Sequence, residues 1–223
     1  MQSRDRLIVA VDRSRRDDIL RLAEALDGAA GLLKIGLQAF IANGPDLVRE
    51  LGGRVFLDLK IHDIPNTAKH AVAEAAALGA AMVTVHAAGG AAMLRACATD
   101  ATLVLGVTVL TSLDDDELRD IGFDAPVRDT SVLLAKLAKE NGLRGVVTSP
   151  REIAAIRAAC GNDLVIVTPG IRPEGSDAGD QRRTTTPAAA VAAGADYIVV
   201  GRPITEASNP RDAALAIVES LRR

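Results

Sequence analysis

Apolar residues gather in eight short runs, at 7–12, 32–36, 55–60, 82–87, 103–110, 145–149, 164–170 and 197–202. Most are almost unbroken Val, Ile, Leu and Ala, without the in–out alternation of a half-solvated strand. Such runs mark parallel strands covered on both faces. Between them the apolar spacing becomes helical, and helices are predicted over 17–26, 64–78, 130–140, 151–159, 187–193 and 212–221. In the first, Ile19, Leu22, Ala23 and Leu26 form one stripe. The second opens on Pro65, a favoured first-turn residue, and the fifth stops at Gly194.

Strands alternating with helices predict a parallel α/β fold. An open doubly wound sheet is the alternative to a (β/α)8 TIM barrel. The strand count favours the barrel, as does the absence of a Gly-x-Gly-x-x-Gly turn after the first strand. Polar residues also collect at the C-terminal ends of the strands, where barrel active sites lie. No linker or low-complexity tract divides residues 1–223, so one barrel domain is expected. The stretch 171–186 is long for a structureless connection and reads as a functional loop. It carries Gly175 and Gly179 as hinges and Arg172, Gln181, Arg182 and Arg183 as anion donors.

Composition narrows the functions open to such a barrel. Aromatic residues make up 2% of the chain and Trp is absent, so the core is aliphatic and stacking platforms for bases are lacking. With a net charge of -3, no basic excess offsets a phosphate backbone, which argues against nucleic-acid binding. A small anion needs only a few local cations and stays possible. Cys97 and Cys160 lie far apart in no metal-ligand spacing and read as small buried hydrophobes of a reducing cytoplasm. No apolar stretch approaches the roughly 20 residues of a membrane helix, and no signal peptide opens the chain.

The candidate chemistry concentrates in residues 56–67. Asp58 and Lys60 are two apart on a strand and so share a face, opposite Leu57 and Leu59. The leucines need the helix layer, which turns the charges toward the barrel axis. Burying an ion costs several kcal/mol unless it is paired, and a structural salt bridge alone would account for one pair. Lys34, Asp12 and Asp63 fall at matching strand ends, however, and a convergence of ionisable groups is the mark of a site. Alternating signs keep each member charged. A cationic Lys60 can stabilise a developing carbanion and then protonate it. His62, His70 and His86 show no metal-ligand spacing. Past the last strand, Gly201 and Arg202 suit a phosphate at a short helix N-terminus.

Taken together, these residues resemble the orotidine 5'-monophosphate decarboxylases. The resemblance is carried by Asp58 to Thr67 (Asp-x-Lys-x-x-Asp-Ile-Pro-x-Thr), Val-Ala-Val-Asp12, Leu-Lys34-Ile-Gly and Val-His86-Ala-Ala-Gly-Gly. It continues through Val-Thr-Val-Leu-Thr111-Ser, Thr-Pro-Gly-Ile-Arg172, Gly-Asp-Gln181-Arg-Arg and Val-Gly201-Arg202-Pro. The motifs span nearly the whole chain in order. The resemblance implies conversion of orotidine 5'-phosphate to uridine 5'-phosphate in de novo pyrimidine synthesis, with no metal or organic cofactor. It implies Lys60 as proton donor to C6 and Asp58 against the departing carboxylate. Asp12, Lys34 and Thr67 would hold the ribose, Lys34 also serving the charge network. Thr111, with Ser112 beside it, would meet the base, and Arg172, Gln181, Gly201 and Arg202 the phosphate. It also implies a homodimer in which Asp63 and Thr67 reach the neighbouring subunit's site. The rival readings are a Mg²⁺-dependent sugar-phosphate decarboxylase or aldolase of the same barrel superfamily, in which a carboxylate is expected at Lys34, and a non-catalytic nucleotide-binding barrel.

Overall fold

A computed structural model of the chain describes residues 2–173 and 185–221. Eight parallel strands close into a barrel in sequence order, the last pairing with the first. The first half runs β1 (Leu7–Ala10), α1 (Arg16–Ala25), β2 (Leu32–Gly36), α2 (Leu37–Asn43), α3 (Pro45–Leu51), β3 (Val55–Ile61), α4 (Pro65–Ala77), β4 (Met82–His86) and α5 (Gly90–Cys97). The second half runs β5 (Leu103–Val107), α6 (Asp115–Asp120), α7 (Val127–Glu140), β6 (Gly145–Val147), α8 (Ile153–Cys160), β7 (Val165–Thr168), α9 (Pro187–Ala192), β8 (Tyr197–Val200), α10 (Arg202–Thr205) and α11 (Pro210–Ser220). Three 3₁₀ turns, Ser3–Arg6, Gly52–Arg54 and Ala87–Gly89, supplement them.

Every predicted strand is present, β2 with the predicted ends and the others with shifted ones. β1, β5, β6, β7 and β8 stop two or three residues before the apolar runs do. Asp12, Thr111, Arg172 and Gly201 therefore stand just past their strands, whereas Lys34, Asp58 and Lys60 stand on β2 and β3. Regular structure also occupies stretches where no helix is predicted. In α2 and α3 two seven-residue helices abut at Gly44-Pro45, too short for a clear helical period. α5 opens on glycine, α6 is almost wholly charged, and α10 lies partly inside the last apolar run.

Strand parity divides the core into two layers. Val55 and Leu57 of β3 and Val83 and Val85 of β4 face outward into the large cluster against the helices. Ile8, Ala10, Phe56, Met82, Leu105, Val167 and Val199 fill the barrel interior. Side-chain sizes must alternate for that interior to fill. Gly145 is one such adjustment: a Cβ there would lie 2.6 Å from Leu105 Cδ2 and 2.9 Å from the Val165 carbonyl.

Candidate active site

The mouth of the barrel holds a row of alternating charges. Lys34 Nζ lies 3.3 Å from Asp12 Oδ1 and 3.7 Å from Asp58 Oδ2. Lys60 Nζ donates to both Asp58 oxygens at 2.9 Å. The sequence Asp12, Lys34, Asp58, Lys60 is therefore continuous in space. The inner members are well covered, with Lys34 and Asp58 side chains 14% and 13% exposed, whereas Asp12 is 58% exposed. Gly36 makes room for this row: a Cβ there would lie 3.1 Å from Lys34 Nζ and 3.4 Å from Asp12 Oδ1.

β3 is not a regular strand where it delivers these groups. Its pairing with β4 runs Phe56 to Met82 and Leu57 to Val83, then resumes at Ile61 with Val85. Three residues of β3 thus stand opposite one of β4, Thr84. Lys60 adopts φ 52° inside this bulge. Bulges of this kind re-aim side chains, often beside active sites. The Asp58 and Lys60 side chains meet as expected, but through the bulge, not through the two-residue period of a regular strand. Thr84, fully buried, donates from its hydroxyl to Asp58 Oδ1 at 2.9 Å and accepts the Lys60 N–H at 2.8 Å.

The row forms one wall of a cavity of about 270 Å³. Phe56, Val107, Val147 and Val199 make its apolar floor. Asp12, Lys34, Asp58, Lys60, Thr111, Arg172, Gly201 and Arg202, all expected from the sequence, line it together. Thr148, which also lines the cavity, is held by buried neighbours: Thr108 Oγ1 donates to Thr148 Oγ1 at 3.1 Å, and Thr168 Oγ1 to the Thr148 carbonyl at 2.8 Å. The ends of the loop after β7 are joined by a bridge between Ile171 and Thr185, with Arg172 N–H donating to the Thr185 carbonyl at 2.9 Å. Gly175, Gly179, Gln181, Arg182 and Arg183 lie outside the described residues.

Two expected members stand apart from this cavity in the single chain. Asp63 and Thr67 are exposed and do not line it. After Ile61 the chain turns out of the barrel toward α4, and Asp63 Oδ1 accepts the Ile64 N–H at 2.6 Å. Of the five charges expected to converge, Asp12, Lys34, Asp58 and Lys60 meet in the single chain, and Asp63 stands apart from them. Thr84 was not anticipated, although a polar residue at an inward position between Met82 and His86 is the signal that marks it. His86 ends the same strand, its ring centroid 5.5 Å from that of His62. Burial depresses its pKa below 6.5, helped by His62 and Lys60 and opposed by Asp58. Among the described residues no cluster of three or more His, Cys, Asp and Glu side chains forms a metal site.

Comparison with known proteins agrees over almost the full chain. The model of the Orotidine 5'-phosphate decarboxylase / HUMPS family matches residues 5–217. The chain is 50% identical to the orotidine 5'-phosphate decarboxylase of Moorella thermoacetica, over 99% of this chain and 94% of that one. It is 48% identical to the Escherichia coli enzyme of the same name, over 97% and 93%. The crystal structure of the Lactobacillus acidophilus orotidine 5'-phosphate decarboxylase superposes with a TM-score of 0.87 at 35% identity, covering 97% of this chain and 99% of that chain. Sequence and backbone agree to this extent along one uninterrupted barrel because the chain belongs to the orotidine 5'-phosphate decarboxylase / HUMPS family.

Proposed function

We propose that this chain decarboxylates orotidine 5'-phosphate to uridine 5'-phosphate, the closing step of de novo pyrimidine nucleotide synthesis, with Lys60 as the proton donor. The observation that carries this reading is the bidentate contact of the Lys60 ammonium with Asp58, inside a row of alternating charges on a largely apolar pocket floor.

The difficult event is heterolysis of the bond between C6 and the carboxylate. Carbon dioxide leaves and the electron pair stays on C6, in an orbital that cannot delocalise into the ring. Fixed positive charge at that atom stabilises the carbanion where it forms. Lys60 supplies that charge, then its proton, and solvent reprotonates the amine. Asp58 holds the ammonium in place and lies where the substrate carboxylate would come, so it disfavours the ground state more than the transition state. Asp12 and Lys34 flank this pair and suit the ribose hydroxyls. Thr111 suits the base, and Arg172, Gly201 and Arg202, on the loops after β7 and β8, suit the phosphate. Phosphate contacts distant from C6 contribute binding energy that can be expressed in the rate.

The lysines already act as counter-ions to both carboxylates, so a divalent cation is not needed and would be repelled. This separates the reading from a Mg²⁺-dependent sugar-phosphate enzyme, as does Lys34 itself. A homodimer in which Asp63 and Thr67 complete the partner's site is part of the proposal. Its support is that both are exposed beside Ile64, which is 66% exposed, and that Leu37 and Ile41 lie one turn apart and exposed on α2. A cytoplasmic location accords with two unbridged, buried cysteines.

The test is the spectrophotometric loss of orotidine 5'-phosphate, with and without EDTA. Wild type turns over equally in both. Lys60→Ala lowers kcat by at least about 10⁴-fold while still binding uridine 5'-phosphate. Substantial turnover by Lys60→Ala, or inhibition by EDTA, would remove the reading.

A further inference from the structure

We propose that Thr84 is a positioning residue for decarboxylation: its hydroxyl holds the β3 bulge so that the Lys60 ammonium and Asp58 carboxylate meet at the reacting carbon. The inference rests on Lys60 being the proton donor.

A hydroxyl has one proton to donate and lone pairs to accept with. Thr84 directs both functions at β3: the proton to Asp58 Oδ1 and a lone pair to the Lys60 amide. The bulge takes that amide out of ladder register, and in a buried position an unmet N–H is costly. The side chain of residue 84 replaces the missing ladder partner. Lys60 also holds φ 52°, a conformation that a lysine keeps only when its surroundings enforce it. The same hydroxyl thus fixes the backbone that aims the ammonium and the carboxylate that receives it. Thr84 Cα belongs to a regular stretch of β4, paired with Leu105 of β5, so its anchor is rigid.

A threonine serving only as core filler would tolerate an isostere. Thr84→Val keeps shape and volume and removes the hydroxyl; Thr84→Ser keeps the hydroxyl and removes a methyl. The expected result is a fall in kcat of roughly 10- to 100-fold for Thr84→Val, with uridine 5'-phosphate affinity unchanged. Thr84→Ser restores most of the lost turnover, and the pH profile of kcat shifts in Thr84→Val but not in Thr84→Ser. A purely structural role would instead lower the melting temperature of both variants and leave kcat and its pH profile alone.

Wild-type kcat in a folded Thr84→Val, or an equal loss in Thr84→Ser, overturns the proposal. Should Thr84→Val fail to fold, Thr84→Cys replaces it, its thiol being a weak donor and acceptor; kcat at the Thr84→Ser level in that variant also overturns it. Lys60→Ala, measured in parallel, separates the two levels. If Lys60→Ala is active, the proton-donor reading fails. If Lys60→Ala is inactive while Thr84→Val is normal, only the positioning role fails.

Discussion

Lys60 is the one residue other than glycine with positive φ among those described. That conformation costs about 1–2 kcal/mol for an L-residue, and an unpaired ammonium inside the barrel would cost several more. Both are offset by Asp58 and Thr84, so the site keeps its charge and its strain together. Gly36 is placed by space and not by backbone: its φ of -93° is open to any residue, but a Cβ there would press on the end of the Lys34 side chain at 3.1 Å. Gly36→Ala should therefore push Lys34 off Asp12. We expect kcat/KM to fall roughly tenfold, about 1.4 kcal/mol of transition-state stabilisation, with little change in melting temperature. His86 makes a prediction with a definite sign. Its folded pKa is depressed from 6.5, so the unfolded chain binds its proton more readily. Its contribution to stability is complete above about pH 6.5 and is lost as pH falls through the folded value. Melting temperatures measured from pH 5 to pH 7.5 should fall on acidification. The fall should be shallower in His86→Asn.

At the scale of elements, stability and chemistry sit at opposite ends of the barrel. Below β7 and β8, Arg157 of α8 donates to Asp196 Oδ2 at 2.6 Å, to the Gly194 carbonyl at 2.7 Å and to the Leu164 carbonyl at 2.5 Å. Its side chain is 13% exposed. Asp196 also accepts the Ile166 N–H at 2.8 Å, so one arginine ties α8 to the starts of two strands. Arg157→Ala should cost about 2–3 kcal/mol, since it leaves Asp196 and several carbonyls without their partner. In a chain of this size that is a drop of roughly 5–10 °C in melting temperature, with kcat unchanged. A loss of kcat at unchanged stability would show that the two ends are coupled.

For the whole molecule, closure of eight strands lines up charges at the ends of β1, β2 and β3 in one row whose successive members lie within 4 Å, although Asp12 and Lys60 are 48 positions apart. Asp63 and Thr67, by contrast, remain on the outside of the single chain. If they complete the partner's site, mixing inactive Lys60→Ala with inactive Asp63→Ala should recover about a quarter of wild-type activity, because half the dimers become mixed and each mixed dimer holds one intact site. No recovery after demonstrated subunit exchange would place Asp63 outside the neighbour's site.

The eight strands, their parallel order and the inward parity of Asp58 were readable along the chain, because unbroken apolar runs and the two-residue period of a strand are local properties. So was the set of charged residues at strand ends. The strand limits were not, because a ladder ends where neighbouring strands part, which depends on tilt and closure. Nor were α2, α3 and α5, whose few turns are stabilised by the barrel they cover more than by their own period. The bulge in β3, the choice of Thr84 to face it and the exclusion of Asp63 from the charged row all required the fold. Each depends on which residue of one strand lies opposite a residue of another, and only closure of the barrel sets that register.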